Sequence, residues 1–551
     1  MMKNLRERVA HLVWLVRTLI TSGFLGTARL DRYVRMGLAM RRHGGASPVS
    51  GIGLAAARAP RAVALIDEAG SLTWRELDDR SDALAAAIAD LPGRPVSTVA
   101  IMCRNHRGLI ESLAATSRLG LDAVLLNTGF AAPQLADVLI RENVDLVIAD
   151  DEFDDLIDHA LQRNPQLRHV HAWVEEAGSA LDTLDSLIAA HLGRRAARPA
   201  RAGRIVLLTS GTTGTPKGAR RGGSTDIGSL AAMLDRIPWR SGEATVIAAP
   251  IFHAWGFGQV AISATMTCTM IMRRRFDPEA TLDLVREHGA TGLAVVPVML
   301  ERIMDLPDNV LDAHPMPTLR FATASGSRMR PDALLAFMDR FGDVVYNSYN
   351  ATEAGLISTA TPQDLRVAPD TAGRALVGTS VRILDDDDRE LPVGEIGKIV
   401  VASSSGFDGY TSADVNKAFA DGHMVSGDLG RLDESGLLFV VGRDDDMIVS
   451  GGENVYPLEV EQILGAHQGV REVAVIGVDD ATFGQRLVAY VVRAPRTLVG
   501  AEQLRDHVRA ELAGFKVPRE VHFIDELPRN ATGKVVTREL LDDAGVERKV
   551  S

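Results

Sequence analysis

The chain has 551 residues and a net charge of −12, with 46% hydrophobic and 24% charged residues. This length provides for more than one domain, and the composition is that of a globular protein. The acidic balance argues against a general nucleic-acid-binding protein, and no apolar run approaches the roughly 20 residues that cross a bilayer. The two cysteines, Cys103 and Cys268, lack the spacing of metal ligands, so we expect buried thiols in a reducing cytoplasm.

Residues 1–42 depart from this acidic average, because nine basic residues stand there against two acidic ones. Apolar residues recur at helical spacing from Leu5 onward, which predicts an amphipathic helix. Arg17 interrupts the apolar stretch, so a secretory signal peptide is disfavoured. Two interpretations stay open: a helix packed on the body of the protein, or an interfacial helix drawn to anionic lipid. We assign residues 1–48 to a basic amphipathic N-terminal extension.

Short apolar segments alternate with alanine- and leucine-rich helical segments from residue 63 onward. Thr73 and Glu76 have the spacing of a capping box, which predicts the start of a helix. This alternation indicates parallel sheets covered by helices. The predicted strands of this part cover residues 63–66, 99–102, 123–126, 145–148 and 205–208.

The last of these strands runs into the loop TSGTTGTPKG at residues 209–218. Glycines let backbone N–H groups approach an anion, hydroxyls add donors and a lysine neutralises charge, so this loop suits a polyphosphate. It differs from the nucleoside-triphosphatase loop, because Pro216 precedes the lysine and Gly218 follows it.

Two segments downstream suit a flat or apolar ligand. The aromatic and glycine-rich segment 250–258, which contains His253, could line an apolar slot. Residues 295–299 are predicted to be the end of a buried strand. The turn of small residues at 324–327 admits a flat ligand close to the backbone.

A strand predicted at 344–346 leads to a group of side chains that suits a nucleotide. Tyr349 supplies an aromatic ring, Thr352 a hydroxyl and Glu353 a carboxylate. An aromatic face stacks on adenine, a hydroxyl bonds phosphate and a carboxylate recruits Mg²⁺. Their position downstream of the phosphate loop strengthens this interpretation.

The C-terminal part contains a second, smaller α/β arrangement. Asp428, flanked by glycines, could accept hydrogen bonds from ribose hydroxyls. A predicted strand at 437–441 precedes three successive acidic residues and the glycine loop 450–454. The small domain that follows is predicted to contain helices at 458–467 and 501–512, strands at 473–478 and 487–492, and a turn carrying Lys534.

These pieces occur in the order and spacing of the acyl-adenylate-forming superfamily, which includes acyl-CoA synthetases, luciferases and peptide-synthetase adenylation domains. The chain resembles this family over residues 63–541. The resemblance implies a two-step reaction, in which a carboxylic acid and ATP give acyl-AMP and pyrophosphate, and the thiol of CoA then displaces AMP. ATP, Mg²⁺ and coenzyme A are the cofactors and co-substrates that it implies.

Matched position by position, the resemblance implies an ATP site. The β- and γ-phosphates would be held by Thr209, Ser210, Gly211, Thr212, Thr213, Gly214 and Lys217. Adenine would stack on Tyr349 beside the turn formed by Ser325, Gly326 and Ser327. The ribose would contact Asp428 and Arg443, and Glu353 would hold Mg²⁺ next to Thr352, a phosphate ligand.

The resemblance also implies residues that separate the two half-reactions. His253 would stand between the ATP site and the acyl pocket, and Asp445 would be the hinge of the small domain. Gly451 and Gly452 would line the pantetheine tunnel during thiolation. Lys534 would reach the α-phosphate and the carboxylate during adenylation, where its ammonium neutralises charge.

Three departures from the family pattern bear on the nucleotide site. Asn350 replaces the usual glycine between the tyrosine and the threonine–glutamate pair. Val425 and Ser426 stand where Arg-Thr is usual, and His423 and Met424 stand where an aromatic residue often precedes them. These changes affect the local geometry of the nucleotide site and leave the predicted fold unaffected.

We therefore predict an α/β protein with a large domain of parallel-rich sheets covered by helices (49–443) and a small mobile α+β domain (444–551). We expect an ATP-dependent acyl-CoA synthetase for medium- or long-chain fatty acids, because no charged selector marks the acyl pocket. The alternatives are an acyl-AMP ligase that loads a carrier protein, and a nucleotide-binding protein without turnover. We expect a cytoplasmic protein, with membrane contact at the inner face of the plasma membrane through residues 1–42 and a homodimer both left open.

Overall fold

The structure, a computed structural model, describes residues 2–26, 30–42, 49–175, 182–201, 203–209, 217–221, 227–351, 353–403, 418–450, 453–480, 484–530 and 533–543. These residues form two compact units. The N-terminal unit contains the described residues up to 380 together with Ser403, and the C-terminal unit contains residues 381–402 and 418–543.

The N-terminal unit combines fifteen helices with fifteen strands among its described residues. Its helices are α1 (Met2–Thr21), α2 (Leu30–Arg42), α3 (Gly51–Arg58), α4 (Trp74–Ala89), α5 (Arg107–Arg118), α6 (Ala132–Arg141), α7 (Asp154–Arg163), α8 (Leu184–His191), α9 (Ile227–Arg236), α10 (Ala254–Met266), α11 (Pro278–Glu287), α12 (Pro297–Met304), α13 (Asp308–Ala313), α14 (Pro331–Phe341) and α15 (Pro362–Val367). Its strands are β1 (Val63–Asp67), β2 (Gly70–Thr73), β3 (Thr98–Met102), β4 (Asp122–Leu125), β5 (Leu146–Asp150), β6 (Arg168–Trp173), β7 (Ile205–Thr209), β8 (Lys217–Arg221), β9 (Ala244–Ile247), β10 (Thr269–Ile271), β11 (Gly292–Val295), β12 (Phe321–Ala324), β13 (Val345–Ala351), β14 (Gly355–Ala360) and β15 (Arg374–Ala375).

The C-terminal unit is richer in strands. Its strands are β16 (Ser380–Leu384), β17 (Gly397–Ala402), β18 (Phe419–Ala420), β19 (His423–Leu432), β20 (Leu438–Arg443), β21 (Ile448–Ser450), β22 (Glu453–Val455), β23 (Val470–Asp480), β24 (Gly484–Arg493) and β25 (Glu520–Phe523). Its helices are α16 (Pro457–Ala466), α17 (Ala501–Glu511) and α18 (Thr537–Asp543).

One sheet of the N-terminal unit has the strand order β6-β5-β3-β4-β7-β8 and is parallel except for the last pair. Alternate residues of β3 enter two different cores, because successive side chains of a strand point to opposite faces. Val99 and Ile101 pack on one face, whereas Ala100 and Met102 pack on the other. Burial on both faces explains why these strands are continuous apolar runs.

The other sheet of this unit has the order β15-β14-β13-β12-β11-β9-β10-β1-β2. The pairs from β13 through β12, β11, β9 and β10 to β1 are parallel, so their carboxyl ends lie at one edge. Only the outer pairs at either side are antiparallel. The Thr73–Glu76 capping box is present at the start of α4, as the sequence predicts.

The C-terminal unit contains two five-stranded sheets in the described part of the chain. The first has the order β16-β17-β19-β18 with β20 beside β19, and the second has the order β22-β21-β24-β23 with β25 beside β24. The chain passes from the first sheet to the second through a short 3-10 turn at Asp444–Asp446.

The predicted fold class is confirmed, and both cysteines are free and buried. One predicted element is wrong in part: β11 ends at Val295, and Pro297 starts α12 instead of continuing a strand. Proline is favoured in the first turn of a helix, where its missing N–H costs nothing. The domain boundary predicted between residues 443 and 444 stays a prediction. In the structure, residues 381–402 pack with the C-terminal unit. None of the described helices combines the length and apolar character needed to cross a membrane.

Candidate functional site

The predicted phosphate loop connects two antiparallel strands. Thr209 at the end of β7 is paired with Lys217 at the start of β8, so the backbones close a loop of residues 210–216. Ser210, Gly211, Thr212, Thr213 and Gly214 lie outside the described residues, as do the side chains of Thr209 and Lys217. The described backbone therefore places the two ends of this loop, Thr209 and Lys217, side by side at the carboxyl end of β7.

The predicted adenine-binding turn is fixed to the neighbouring strand. The hydroxyl of Ser325, directly after β12, donates a hydrogen bond of 2.5 Å to the carbonyl of Ser348 in β13. This bond brings the turn beside Tyr349, the next residue of β13. Gly326 has a φ of +105°, a backbone conformation that residues other than glycine rarely adopt. The next residue, Ser327, is half-buried. The structure thus places the small turn beside the strand that carries Tyr349.

Glu353 lies in the tight turn between β13 and β14, where Ala351 is paired with Gly355. A bulge between Tyr349 and Asn350 shifts the strand register just before this turn. The bulge contains Asn350, the residue that departs from the family pattern. Thr352 lies outside the described residues.

His253 is the residue that precedes the first turn of α10, with extended backbone angles. Its side chain is half-buried, and burial lowers the pKa of its imidazole below the usual value. Trp255, in the first turn of the same helix, donates a 2.9 Å hydrogen bond from Nε1 to the carbonyl of Val295 at the end of β11. The start of α10 is therefore attached to the same sheet edge as the adenine turn.

Asn105 is a site residue that the sequence analysis missed. This buried side chain follows β3 and donates from Nδ2 to the carbonyls of Ile247 and Ala249, at 3.3 and 2.9 Å. Its Oδ1 accepts a 3.0 Å bond from the backbone N–H of Ile251, two residues before His253. A polar side chain directly after a buried strand was the available signal, since such positions border ligand sites in α/β sheets.

These bonds join the carboxyl edges of the two sheets. Asn105 follows β3, which shares its edge with β7 and the phosphate loop, because β3, β4 and β7 are parallel. The segment that Asn105 holds follows β9, which shares its edge with β12 and β13. In the N-terminal unit, Thr209, His253, the adenine turn and Glu353 therefore lie at or follow the carboxyl ends of strands at these two joined edges. Crevices at the carboxyl ends of parallel strands are where α/β proteins bind ligands.

The predicted ribose contacts are neighbours in the C-terminal unit. Asp428 of β19 lies directly opposite Arg443 of β20, and the two side chains form an ion pair of 3.6 Å. Ser426 supports the aspartate, because its hydroxyl accepts a 3.0 Å bond from the backbone N–H of Asp428 and donates to the carbonyl of Ile399. Ser426 thus supplies the hydroxyl at this position, despite its departure from the family pattern.

The predicted hinge falls at the change of sheet. Asp445 is the middle residue of the 3-10 turn between β20 and β21, and its side chain lies outside the described residues. Gly451 and Gly452 also lie outside them.

Lys534 lies at the tip of a turn whose backbone is well held. Asn530 accepts a 3.0 Å bond from the N–H of Lys534 and donates a 2.9 Å bond to its carbonyl. Arg529 bonds the carbonyl of Gly533 and forms an ion pair of 2.8 Å with Glu472 of β23. The side chain of Lys534 is exposed and forms no ion pair within the described part of the chain. The described part of this turn is thus held by hydrogen bonds and carries an exposed lysine.

The chain matches two family models. The model of the AMP-binding enzymes matches residues 54–411, and the model of their C-terminal domain matches residues 459–534. A 2-succinylbenzoate–CoA ligase of Geobacillus sp. (strain WCH70) is 32% identical, over 87% of this chain and 94% of that protein. A fatty acid–[acyl-carrier-protein] ligase of Streptomyces coeruleorubidus is 30% identical, over 88% and 93%.

A solved structure extends the similarity to the whole architecture. The o-succinylbenzoate CoA synthetase of Bacillus subtilis, in complex with its acyl-adenylate intermediate, superposes with a TM-score of 0.75 at 26% identity. The alignment covers 91% of this chain and 99% of that one.

Proposed function

Since this chain belongs to the AMP-binding enzyme family and is an AMP-forming acid–thiol ligase, we propose that it activates a medium- or long-chain fatty acid and transfers it to CoA. The observation that supports a fatty acid as the substrate is the apolar character of α10. This helix starts beside His253 and contains no charged residue. An apolar helix at the predicted acyl site favours an apolar acid.

One face of α10 supports this choice of substrate. Ala254, Gly258 and Ala261 are half-buried at helical spacing, and a side chain added at Gly258 would meet no atom within 4 Å. Small residues beside open space leave room for an alkyl chain. A dicarboxylic acid such as 2-succinylbenzoate would need a cation for its second carboxylate. Helix α10 supplies no cation, and the lowered pKa of His253 disfavours a charged imidazole there.

In the first half-reaction an oxygen of the fatty carboxylate attacks the α-phosphorus of ATP, and the bond to the bridging oxygen of pyrophosphate breaks. The phosphate loop and Lys534 would bind the approaching anions, because two negative groups must be brought together. In the second half-reaction the sulfur of the CoA thiolate attacks the acyl carbon, and AMP leaves with the carboxylate oxygen. Tyr349, Asp428 and Arg443 would keep the nucleotide oriented in both steps.

Glu353 fits a magnesium ion by the chemistry of its donor. Mg²⁺ in nucleotide enzymes is held by one or two carboxylates together with substrate phosphates. Glu353 offers a carboxylate in a tight turn at the carboxyl end of β13, and Thr352 is its neighbour in sequence. When bound, the ion would neutralise phosphate charge.

A substrate panel tests the proposal. AMP release is measured with hexanoate, dodecanoate, palmitate, 2-succinylbenzoate and ferulate, with and without CoA. We expect kcat/KM to rise by about tenfold or more from hexanoate to dodecanoate, because each buried CH₂ contributes roughly 0.8 kcal/mol. Preference for an aromatic acid would overturn the fatty-acid assignment.

The same panel separates CoA from a carrier protein as the acceptor, an alternative that the similarity to a carrier-protein ligase supports. Turnover stimulated by free CoA supports the synthetase. Adenylate that accumulates despite CoA, and turns over when a carrier protein is added, supports the ligase. Absence of AMP release with every acid would indicate a nucleotide-binding protein without turnover.

The substitution Gly258→Phe tests the acyl path directly. A phenyl ring would occupy the open space beside α10, so palmitate should lose kcat/KM by about tenfold or more while hexanoate retains it. Equal losses for both acids, or none, would show that this face does not line the alkyl chain.

The cytoplasm, contact with the inner face of the plasma membrane and a homodimer remain proposals. The two free, buried thiols support a reducing compartment. Chromatography with light scattering tests the homodimer, since a dimer would double the mass of 59.2 kDa.

A further inference from the structure

Helix α1 has one face that packs on the body of the protein. Trp14, Leu15 and Leu19 contact a core that includes Leu230 and Trp239, and Leu19 is only 2% exposed. Two hydrogen bonds hold the turn after the helix. The carbonyl of Ser22 accepts a 2.9 Å bond from the N–H of Ser241, and the carbonyl of Gly23 accepts a 2.6 Å bond from Arg58. The helix is therefore fixed at its C-terminal end.

The opposite face of α1 is apolar and uncovered. Five large aliphatic side chains on it are 40–60% exposed: Val9, Leu12, Val13, Val16 and Ile20. Their spacing of three and four residues places them on one stripe of the helix. Single exposed apolar residues are normal, whereas a continuous stripe on a fixed helix marks a surface that binds something.

The second helix of the extension repeats this exposure. Val34 and Leu38 of α2, one turn apart, are each 62% exposed. Arg35 of this helix forms an ion pair with Asp31. The extension thus leaves apolar side chains uncovered on two successive helices.

The charge of the extension indicates what it binds. Residues 1–42 carry a net charge of +7 within a chain whose net charge is −12. Within the described residues, Arg8, Arg17, Arg32 and Arg41 form no ion pair. Unpaired arginines beside an apolar stripe complement a surface that is anionic outside and apolar beneath.

We propose that the exposed stripe of α1, with the arginines of residues 1–42, docks the protein on an anionic membrane. The aliphatic side chains enter the boundary between headgroups and acyl chains, and the guanidinium groups bind lipid phosphates. A second copy of the chain fits this surface poorly, because dimerisation through it would bring two charges of +7 together. The proposal does not depend on which acid the enzyme activates.

The docking surface lies apart from the reaction. The core under α1 includes Ile262 and Met266, near the C-terminal end of α10. His253 precedes the other end of this 13-residue helix, ~20 Å from Met266 at 1.5 Å per residue. Substitutions on the exposed stripe should therefore leave the chemistry intact.

Vesicle sedimentation tests the proposal with the full chain. The probes are vesicles of phosphatidylcholine alone and of phosphatidylcholine with added phosphatidylglycerol. The variant is Val13→Glu combined with Val16→Glu. Glutamate is a good helix former, so these substitutions on an exposed face preserve the helix. The matched controls are Leu498→Glu and Val367→Glu, since these exposed aliphatic residues lie outside the extension.

We expect the wild-type protein and both controls to sediment with the anionic vesicles, and less so as salt is raised. The double variant should bind them about tenfold or more weakly, with unchanged AMP release on hexanoate. Equal binding by the double variant and the wild type, or no binding of the wild type to anionic vesicles, would overturn the proposal. Dimerisation of the wild type that the double variant loses, without vesicle binding, would assign the stripe to a second copy instead.

Discussion

At the scale of single residues, Lys534 is predicted to take part in the chemistry, whereas Asn105 positions a neighbouring segment. Lys534 follows a turn that Asn530 and Arg529 hold by hydrogen bonds, and its side chain is exposed. Asn105 is not among the predicted ligand-binding residues, and three of its hydrogen bonds fix the segment that leads to His253. Substitution of these two residues should therefore have different effects.

Lys534→Ala should lower the rate of adenylation about 10²–10³-fold, because a well-placed charge contact to the reacting anions is lost. Pyrophosphate exchange measures this half-reaction. Conversion of supplied acyl-AMP to acyl-CoA should persist and serves as the internal control, since the family mechanism assigns Lys534 to the first step alone. Normal pyrophosphate exchange in this variant would contradict the predicted role of Lys534 in adenylation and would leave it as a solvent-exposed lysine on a turn.

Asn105→Ala should destabilise the protein by about 1–3 kcal/mol, because the buried N–H of Ile251 loses its acceptor. The loosened segment should also raise the KM for the acid more than the KM for ATP. Urea unfolding and initial rates measure the two effects. Asn309→Ala, on an exposed helical position, is the control. Lost stability with both KM values unchanged would make Asn105 purely structural.

At the scale of elements, α10 is held against the loop that precedes it by close backbone contact. A side chain added at Gly256 would overlap the carbonyl of Pro250, whereas one added at Gly258 would meet no atom within 4 Å. The two glycines are two residues apart in one helix, so they have the same helix propensity and differ in their surroundings.

Gly256→Ala should therefore destabilise the protein by about 1–3 kcal/mol through overpacking. Gly258→Ala should be neutral or stabilising by up to about 1 kcal/mol, since alanine is the better helix former. Thermal unfolding of the two variants measures the contrast. Equal effects would mean that the loop moves aside at no cost.

At the scale of the whole molecule, the described residues form two units with separate cores. The clusters around Leu300 and Leu464 belong to different units and share no residue. The change from the first to the second sheet of the C-terminal unit, at Asp444–Asp446, falls where the resemblance places a hinge. Two-step chemistry with a different requirement in each step is served by such a connection.

Asp445→Pro should let acyl-AMP form while transfer to CoA falls sharply. Proline fixes φ near −65° and removes an N–H, so the backbone at the predicted hinge could no longer change conformation. Pyrophosphate exchange and acyl-CoA formation from supplied acyl-AMP measure the two steps. Losses of similar size in both would contradict the hinge assignment, and the neighbouring Asp444→Ala is the control for lost charge.

Calorimetry should resolve more than one unfolding transition, because separate cores can melt separately. Leu300→Ala should shift one transition and Leu464→Ala the other, each by about 2–5 kcal/mol of lost stability. A single transition that both variants shift equally would show that the two units unfold as one.

The sequence alone determined what local chemistry can encode. The apolar runs predicted the parallel strands, and Thr73 and Glu76 predicted a helix start, because each signal is contained in a few adjacent residues. Phosphate binding by the loop at 209–218 stays a prediction. The strand predicted across 295–299 failed, since apolar periodicity cannot distinguish a buried strand end from the first turn of a helix.

Only the tertiary structure decided what depends on distant residues. The joining of two sheet edges by Asn105 involves residues more than 140 positions apart, and no local pattern announces such a contact. The same holds for the direct pairing of Asp428 with Arg443, which follows from strand register. The amphipathic extension is the clearest case. Periodicity shows that α1 has an apolar side, but packing alone reveals that one side is buried and a second apolar stripe remains exposed.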